Sequence, residues 1–211
     1  MKAWKKALNY VLEHGDEVLD EKGRRSKEVE GLCVRINQPE ADASKPVDVL
    51  AGFEKWVYPS AEEIQAFTLS KKSRTACDMS YGDSIFNYRG RVNQIDDFVI
   101  PLLKKDLRSR RAVVVLWDPE EKTSSGRSIF FGLITVHFKV IGKRLHASCF
   151  VRSNDIFFGW PGNICQLSTL QSYINEKLGL RNGPITVFSA VAQVFDEQEE
   201  DARRIINNEK I

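Results

Sequence analysis

The sequence predicts one α+β domain built around a single large sheet. Its strand-like and helix-like stretches follow one another in an irregular order, as they do in α+β proteins. The stretch "RAVVVLWDP" at 111–119 is a short continuous apolar run, which predicts a strand buried on both faces. Further on, "LITVHFKVIGKRLHASCFVR" reads as two strands joined by a turn at Gly142. With 211 residues, 42% of them hydrophobic, the chain can form one core, and we expect a single domain over 1–211.

The remaining elements follow from apolar spacing and from the residues that begin and end helices. The "SAEEIQAFTLS" stretch has Ser60 as an N-cap candidate, with Glu62 and Glu63 in the first turn, so a helix is expected there. The other expectations are a helix at 2–14 ended by Gly15, a charged loop at 20–31, a strand at 32–39, irregular structure at 40–58, a helix kinked at Pro101, a helix at 164–180, a strand at 183–195 and a charged helix from 196.

Charge and cysteine content narrow the possible partners. The 31 basic and 29 acidic residues give a net charge of +2, which provides no reason to expect polymeric nucleic acid or a membrane as partner. The apolar residues of the basic N-terminus have the spacing of an amphipathic helix, so we expect a helix of the folded protein there rather than a signal peptide. We therefore expect a cytoplasmic protein. The four cysteines are far apart and form no CxxC pair, which favours free buried thiols and no metal site.

An arginine cluster precedes the predicted strand at 111–119. "DLRSRR" at 106–111 contains three arginines in four residues, among them Arg110 and Arg111. Arginine presents a planar set of donors that matches phosphate or carboxylate, so the cluster is a candidate anion site. A solvated helix terminus, with its cations near the negative end of the helix dipole, would explain the same residues.

A second candidate site interrupts an apolar segment with polar residues. In "RSNDIFFGWPGN", Arg152 ends a predicted strand, Asp155 follows it, and Asn163 comes directly after Pro161-Gly162. Buried charges need partners, and an Asn amide can donate and accept at once, which suits the edge of a pyrimidine. An ion pair between Arg152 and Asp155, with Asn163 as a helix cap, is the alternative explanation.

Taken together, several motifs resemble the thymidylate synthase family, closest to its compact archaeal form and to its nucleotide hydroxymethylase relatives. The matching motifs, in the family's order, are "YGDSIFNYRGRVNQID", "DLRSRRAVVVLWDP", "RSNDIFFGWPGN" and "AQVF". The resemblance extends from about "GDEVLDEKG" to "EEDARRI". It implies a large kinked mixed sheet packed with helices, with a sheet face that forms a homodimer interface.

The resemblance also implies a binding site for a nucleotide or a nucleotide-like small molecule. Arg110 and Arg111 would reach the phosphate bound by the partner subunit, and Arg152 and Ser153 would hold the phosphate in their own subunit. The base and sugar side would consist of Asp155, Gly159, Asn163 and Gln193.

The sequence departs from the family's pattern in three places. The arginines and Asn163 expected to bind a nucleotide are present, whereas residues that the family's reaction needs are not. The position of the family's catalytic cysteine is Gly132, and covalent addition to a pyrimidine needs a thiolate. Gln193 and Phe195 stand where the family has the His and Tyr that hold a deoxyribose hydroxyl. The resemblance implies folate as cofactor, but we find no counterpart of the tail that closes over it before Ile211, so the sequence leaves the cofactor open.

Two functions therefore remain. In the first, the chain modifies a pyrimidine or related 5′-nucleotide by a thiol-independent transferase or hydrolase mechanism, with Glu62, Glu63 and Tyr81 as candidate acid–base groups. In the second, it is a catalytically inactive homologue that binds a nucleotide as a sensor or as a partner subunit. Neither is standard thymidylate synthesis.

Overall fold

A computed structural model describes residues 1–70, 81–118 and 132–209, and its centre is one six-stranded mixed sheet. The strand order is β1-β2-β6-β5-β4-β3. β5 and β6 pair in parallel, and every other neighbouring pair in this sheet is antiparallel. The strands are β1 (Asp16–Leu19), β2 (Arg25–Ile36), β3 (Val113–Val115), β4 (Leu133–Ile141), β5 (Arg144–Asp155) and β6 (Arg181–Phe195).

Helices cover one side of the sheet and its ends. They are α1 (Lys2–His14), α2 (Pro39–Asp42), α3 (Lys45–Ala51), α4 (Ala61–Thr68), α5 (Gly82–Phe86), a π-helical segment (Gln94–Val99), α6 (Ile100–Lys105), α7 (Gly159–Leu178) and α8 (Asp196–Asn207). None of the helices within the described ranges is long and apolar enough to cross a membrane. The α+β class and the mixed sheet expected from the sequence are thereby confirmed.

The long helix α7 determines the topology at the centre of the sheet. Parallel strands need a crossover connection, and α7 provides it between β5 and β6. Its apolar residues Leu167, Leu170 and Ile174 are buried, and Gly179 ends the helix with φ 63° in the left-handed region that glycine tolerates. The crossover therefore brings the C-terminal ends of β5 and β6 side by side.

Helix α1 packs its apolar face into the core, next to strands β2 and β6. Its helical spacing buries Trp4, Leu8 and Val11 completely. The Trp4 indole Nε1 donates a 2.6 Å hydrogen bond to the backbone carbonyl of Ile156, just after β5. The N-terminal helix thus fastens the segment that links β5 to α7, where the polar residues of the second candidate site lie.

Several local predictions were wrong because pairing partners override local composition. The expected loop at 20–31 is the β1–β2 hairpin, since β2 begins at Arg25 and pairs with β6 despite its charges. The region 40–58 contains α2 and α3 rather than only irregular chain. The helix expected to kink at Pro101 is a π-helical segment followed by α6, in which Pro101 sits near the start, where it needs no N–H partner.

The apolar run at 111–119 forms a shorter and more exposed strand than expected. β3 is the edge strand of the sheet, and Val113 and Val115 are each more than a third exposed on its outward face. Only Val114 is fully buried within β3. The prediction of burial on both faces is therefore wrong for the isolated chain.

Candidate functional site

The ends of β5 and β6 bring Ser153, Asp155 and Gln193 together. Asp155 lies directly opposite Gln193 in the parallel register, and Ser153 lies two residues before Asp155. The Gln193 Nε2 donates a 3.0 Å hydrogen bond to Ser153 Oγ. A residue expected to hold phosphate thus contacts one expected to lie on the base and sugar side, although they are 40 positions apart in the chain.

Asn163 lies above these strand ends, inside α7 rather than at its start. The helix begins at Gly159, so Asn163 is in its second turn, and the alternative that it caps the helix is wrong. Tyr81 Oη accepts a hydrogen bond from the Leu133 backbone N–H and donates a 2.6 Å hydrogen bond to Asn163 Oδ1. Asn163 Nδ2 makes a long 3.5 Å contact with Asn154 Oδ1.

This chain of hydrogen bonds orients the Asn163 amide. A backbone N–H can only donate, so the Tyr81 hydroxyl proton is directed to Asn163 Oδ1. The amide keeps one acceptor lone pair and one N–H with no partner in these contacts. A fixed donor and acceptor side by side can recognise one edge of a pyrimidine ring.

Tyr58 holds the turn before Asn163 and was missed by the sequence analysis. Its hydroxyl donates to the Phe158 carbonyl at 2.9 Å and accepts from the Gly162 N–H at 2.8 Å. Burial raises the pKa of Tyr58, so the hydroxyl stays protonated as this geometry requires. Tyr58 lies in a stretch with no recognisable pattern, so no sequence signal pointed to it.

Asp155 is a half-buried carboxyl that accepts hydrogen bonds within the turn after β5 and lies beside the site. Its Oδ1 accepts from the Phe158 N–H at 2.7 Å, and its Oδ2 accepts from Gln198 Nε2 at 2.9 Å. Burial raises the pKa of Asp155 above its usual value, although these hydrogen bonds oppose the shift. Gly159, also expected on this side, donates its backbone N–H to Asp155.

The arginines occupy two different places. The Arg152 guanidinium lies over the Trp117 ring, 5.7 Å from its centroid, and Arg152 itself is exposed on β5, three residues before the strand ends. Arg110 and Arg111 are exposed on the loop before β3. No hydrogen bond within the described ranges joins these two side chains to Ser153 or Asn163. The single chain therefore leaves the two arginine groups apart.

The three candidate acid–base groups differ in their hydrogen bonds and in their exposure to solvent. Glu63 forms a capping box with Ser60, in which Glu63 Oε2 accepts from the Ser60 N–H at 2.8 Å. Glu62 is exposed in the same turn of α4. Tyr81 is buried, and its pKa is raised by desolvation, so it donates to Asn163 rather than exchanging protons near neutral pH.

Gly132 lies where the chain passes closest to β5. A Cβ built on Gly132 would approach the backbone carbonyl oxygen of Ser153 to 2.5 Å, which is closer than real Cβ atoms come. Its own carbonyl accepts a 2.8 Å hydrogen bond from the Arg152 N–H. The position therefore has neither a nucleophile nor room for one with the backbone in this arrangement.

Other thiols do not replace the missing nucleophile in the described part of the chain. Cys149 and Cys165 are buried, and desolvation raises the pKa of Cys149 to about 12 and that of Cys165 to about 11. A thiol with such a pKa is almost entirely protonated near neutral pH. Cys33 is exposed on β2, and Cys77 lies outside the described residues.

Phe195, which stands where the family has a Tyr, contacts an arginine in this structure. Phe195 is buried, and the Arg24 guanidinium lies 3.9 Å from its ring centroid. Arg24 comes from the β1–β2 hairpin, which the sequence analysis took for a loop. As for metals, the residues within the described ranges contain no group of three or more His, Cys, Asp and Glu side chains arranged to hold an ion.

The close approach at Gly132 predicts a cost for any side chain there. Gly132→Ala and Gly132→Cys should each lower the free energy of unfolding by about 1–3 kcal/mol, the usual cost of overpacking. Gly159→Ala is the matched control, because its Cβ would meet only Asp155 Cβ at an ordinary 3.5 Å. Urea unfolding followed by circular dichroism measures all three variants. Equal stabilities for Gly132→Ala and the native chain would contradict the geometry.

Burial and the raised pKa values predict that two thiols are unreactive in the folded protein. At pH 8, iodoacetamide should leave Cys149 and Cys165 unmodified, and both should react once the chain is unfolded in urea. Lys177→Cys, which places an exposed thiol on α7, is the positive control. Peptide mass spectrometry gives the extent of labelling at each site. Rapid native labelling of either buried thiol would show that it can form a thiolate.

Comparisons with known proteins identify the family of this chain. The thymidylate synthase family model matches residues 50–211. A protein named "Putative thymidylate synthase" from Methanosarcina mazei is 32% identical over 97% of this chain and 90% of its own length. Proteins of the same name from Methanococcoides burtonii and Methanothermobacter thermautotrophicus are 29% and 28% identical, over 97% and 96% of this chain and 90% and 93% of their own lengths. This chain belongs to the thymidylate synthase family.

Proposed function

We propose that this protein binds a pyrimidine 5′-nucleotide in a homodimer and does not make thymidylate by thiolate addition. The observation that carries the proposal is the oriented Asn163 amide above the paired Ser153 and Gln193. Phosphate at Ser153 and Arg152 and a base at Asn163 would place one nucleotide across the ends of β5 and β6. Gly132 removes the covalent step while leaving these polar contacts in place.

An enzymatic form of the proposal is supported by Asp155. Desolvation raises the pKa of this half-buried carboxyl, so it holds its proton closer to neutral pH than an exposed carboxyl does, which is the property a general acid needs. Such a group would suit a thiol-independent modification of the bound nucleotide. A sensor or partner subunit without turnover would use the same binding contacts, so the two functions differ in product formation and not in affinity.

The homodimer is supported by the outward face of the sheet. One row of paired residues crosses five strands on this face, and its members are Val115, Thr135, Phe150, Phe188 and Cys33. Phe150 and Phe188 are 37% and 40% exposed, and their rings stack with centroids 5.6 Å apart. Soluble monomers rarely expose so continuous an apolar surface. A second copy packed on this face would cover it and would bring its own Arg110 and Arg111 to the neighbouring site.

The fixed amide predicts discrimination between uracil and cytosine. Uracil presents a donor at N3 and an acceptor at position 4, whereas cytosine presents the reverse, so one amide orientation suits only one of them. Calorimetric titration should show at least a tenfold difference in Kd between dUMP and dCMP. Tyr81→Phe removes the hydroxyl that orients Asn163 and should narrow the difference. Equal affinities in the native protein would show that Asn163 does not read the base.

A second readout of the same samples separates binding from synthesis. dUMP labelled with tritium at C5 and incubated with methylene-folate should release no tritium above the blank, because Gly132 carries no thiol and the buried thiols Cys149 and Cys165 are protonated. Mass spectrometry of the nucleotides after incubation detects any other product. Sustained tritium release would contradict the assigned role of Gly132, whereas an unexpected product with no tritium release would favour the enzymatic form.

The outward face predicts the oligomeric state. Native protein should be a dimer by light scattering at micromolar concentration, and the double variant Phe150→Lys, Phe188→Lys should be a monomer, because it places charges in the covered surface. Val57→Lys is the matched control, since Val57 is 95% exposed on a loop away from this face. A native monomer, or a double variant that remains dimeric, would contradict the proposed interface.

The same dimer predicts complementation between site variants. Arg152→Ala and Arg111→Ala should each weaken nucleotide binding by about 1.5–3 kcal/mol, the scale of a charged hydrogen bond. Arg108→Ala, which removes an exposed arginine paired with Asp106, should not. Mixing the two weak variants after subunit exchange should restore one full-affinity site in the mixed dimers. No recovery would mean that the arginines serve a single subunit.

A further inference from the structure

A cavity lies at the opposite end of the central strands from the nucleotide site. Its volume is about 560 Å³, and its lining includes Arg144, Ser172, Asn175, Glu176, Arg181 and Asn182. Arg144 begins β5 and Ser153 lies nine residues further along the strand, which corresponds to roughly 30 Å in an extended chain. The cavity is therefore separate from the site at Ser153 and Gln193.

Two arginines stand directly opposite each other at this end. Arg144 and Arg181 are register partners on the parallel strands β5 and β6. Like charges in this position destabilise a sheet unless something compensates them. The Arg144 Nε donates to the Asn182 carbonyl at 3.0 Å, and the described ion pairs include neither arginine. Their remaining donors can hold an anion between them.

Arg144 also acts on a neighbouring histidine together with two cations from other strands. Arg35 on β2 and Lys139 on β4 lie near His146, as does Arg144. Burial is the main reason that the pKa of His146 is lowered, and the three cations lower it further. The neighbouring charges thus favour a neutral histidine and an anion, rather than another cation, at this end of the sheet.

The facing wall of the cavity carries acceptors. Asn175 is 5% exposed, its Nδ2 donates to Asn182 Oδ1, and its own Oδ1 is buried without a hydrogen-bond partner. A buried amide oxygen without a partner is destabilising, because it has lost its hydrogen bonds to water and gained none in the protein. Glu176 and Glu40 line the rim of the same cavity. A ligand hydroxyl could donate to these carboxylates, and to Asn175 after a small rotation of its amide.

From this arrangement we propose that the cavity binds a small phosphorylated sugar or polyol. The phosphate lies between Arg144 and Arg181, where two guanidinium groups supply paired donors. The hydroxyl groups point to Glu176 and Asn175, whose oxygen atoms accept hydrogen bonds from them. One wall offers only cationic donors and the other only acceptors. A bare anion therefore suits the arginine wall alone, and a neutral sugar suits the acceptor wall alone.

The test is a calorimetric titration with ribose 5-phosphate in the Arg152→Ala variant, so that the nucleotide site does not contribute. We expect one molecule bound per chain, with inorganic phosphate and ribose each binding at least tenfold more weakly. Arg144→Gln combined with Arg181→Gln should reduce the affinity at least tenfold, and Glu176→Gln should reduce the preference over inorganic phosphate. Lys104→Gln, which removes an exposed cation on α6, should change nothing.

The outcomes separate this site from the nucleotide site. Binding that disappears in Arg152→Ala alone, or that survives the double arginine variant, would overturn the proposal, as would binding no stronger than that of inorganic phosphate. Thermal unfolding of each variant confirms that a loss of affinity is not a loss of folding. Nucleotide affinity measured in the double arginine variant should stay at the native value. The two sites are thus tested independently, because each variant affects the affinity of only one of them.

Discussion

The parallel pairing of β5 and β6 is the constraint on which the rest of the site depends. Parallel neighbours cannot be joined by a tight turn, so the chain must leave β5, cross the sheet as α7 and return to begin β6. That path places the C-terminal ends of both strands next to each other, and it places the start of α7 beside them. Ser153 and Gln193 are in contact there for this reason, and Asn163 reaches the same strand end through Asn154.

The segment between β5 and α7 is held from several sides. Trp4 binds the carbonyl of Ile156, Tyr58 bridges Phe158 and Gly162, and Asp155 accepts from the Phe158 N–H. These contacts satisfy polar backbone groups that would otherwise be buried without partners. They also keep Asn163 at a fixed height over the strand ends. The rigidity of the site is thus a consequence of hydrogen bonding from distant helices and loops.

At Gly132, where the resemblance places the family's catalytic cysteine, the backbone as well as the missing side chain excludes a thiol. At Gly132 the chain approaches the Ser153 carbonyl so closely that a Cβ does not fit, and the Arg152 N–H bonds to the Gly132 carbonyl. The segment that we propose to bind phosphate therefore packs directly against the position that the resemblance assigns to the catalytic cysteine. This geometry leaves no room for a thiol at Gly132, which is why the proposed function separates nucleotide binding from thymidylate synthesis.

Several features followed from the sequence alone. Helix α1, the hairpin of β4 and β5 and the Ser60 cap were predictable, because apolar periodicity and capping residues act over a few neighbouring positions. The family and the α+β class were predictable because several motifs occur in a fixed order. The candidate residues Arg152, Ser153, Asn163 and Gln193 were named on the same basis.

Only the tertiary structure decided how these residues are oriented and what surrounds them. The Tyr81 hydrogen bond to Asn163, the bridge made by Tyr58 and the Arg24 contact with Phe195 join residues more than 80 positions apart. β2 forms from a charged stretch because β6 supplies its hydrogen-bond partners, and β3 is half-exposed because it is at the edge. Local sequence carries propensity and periodicity, whereas long-range pairing determines which backbone and side-chain groups finally meet.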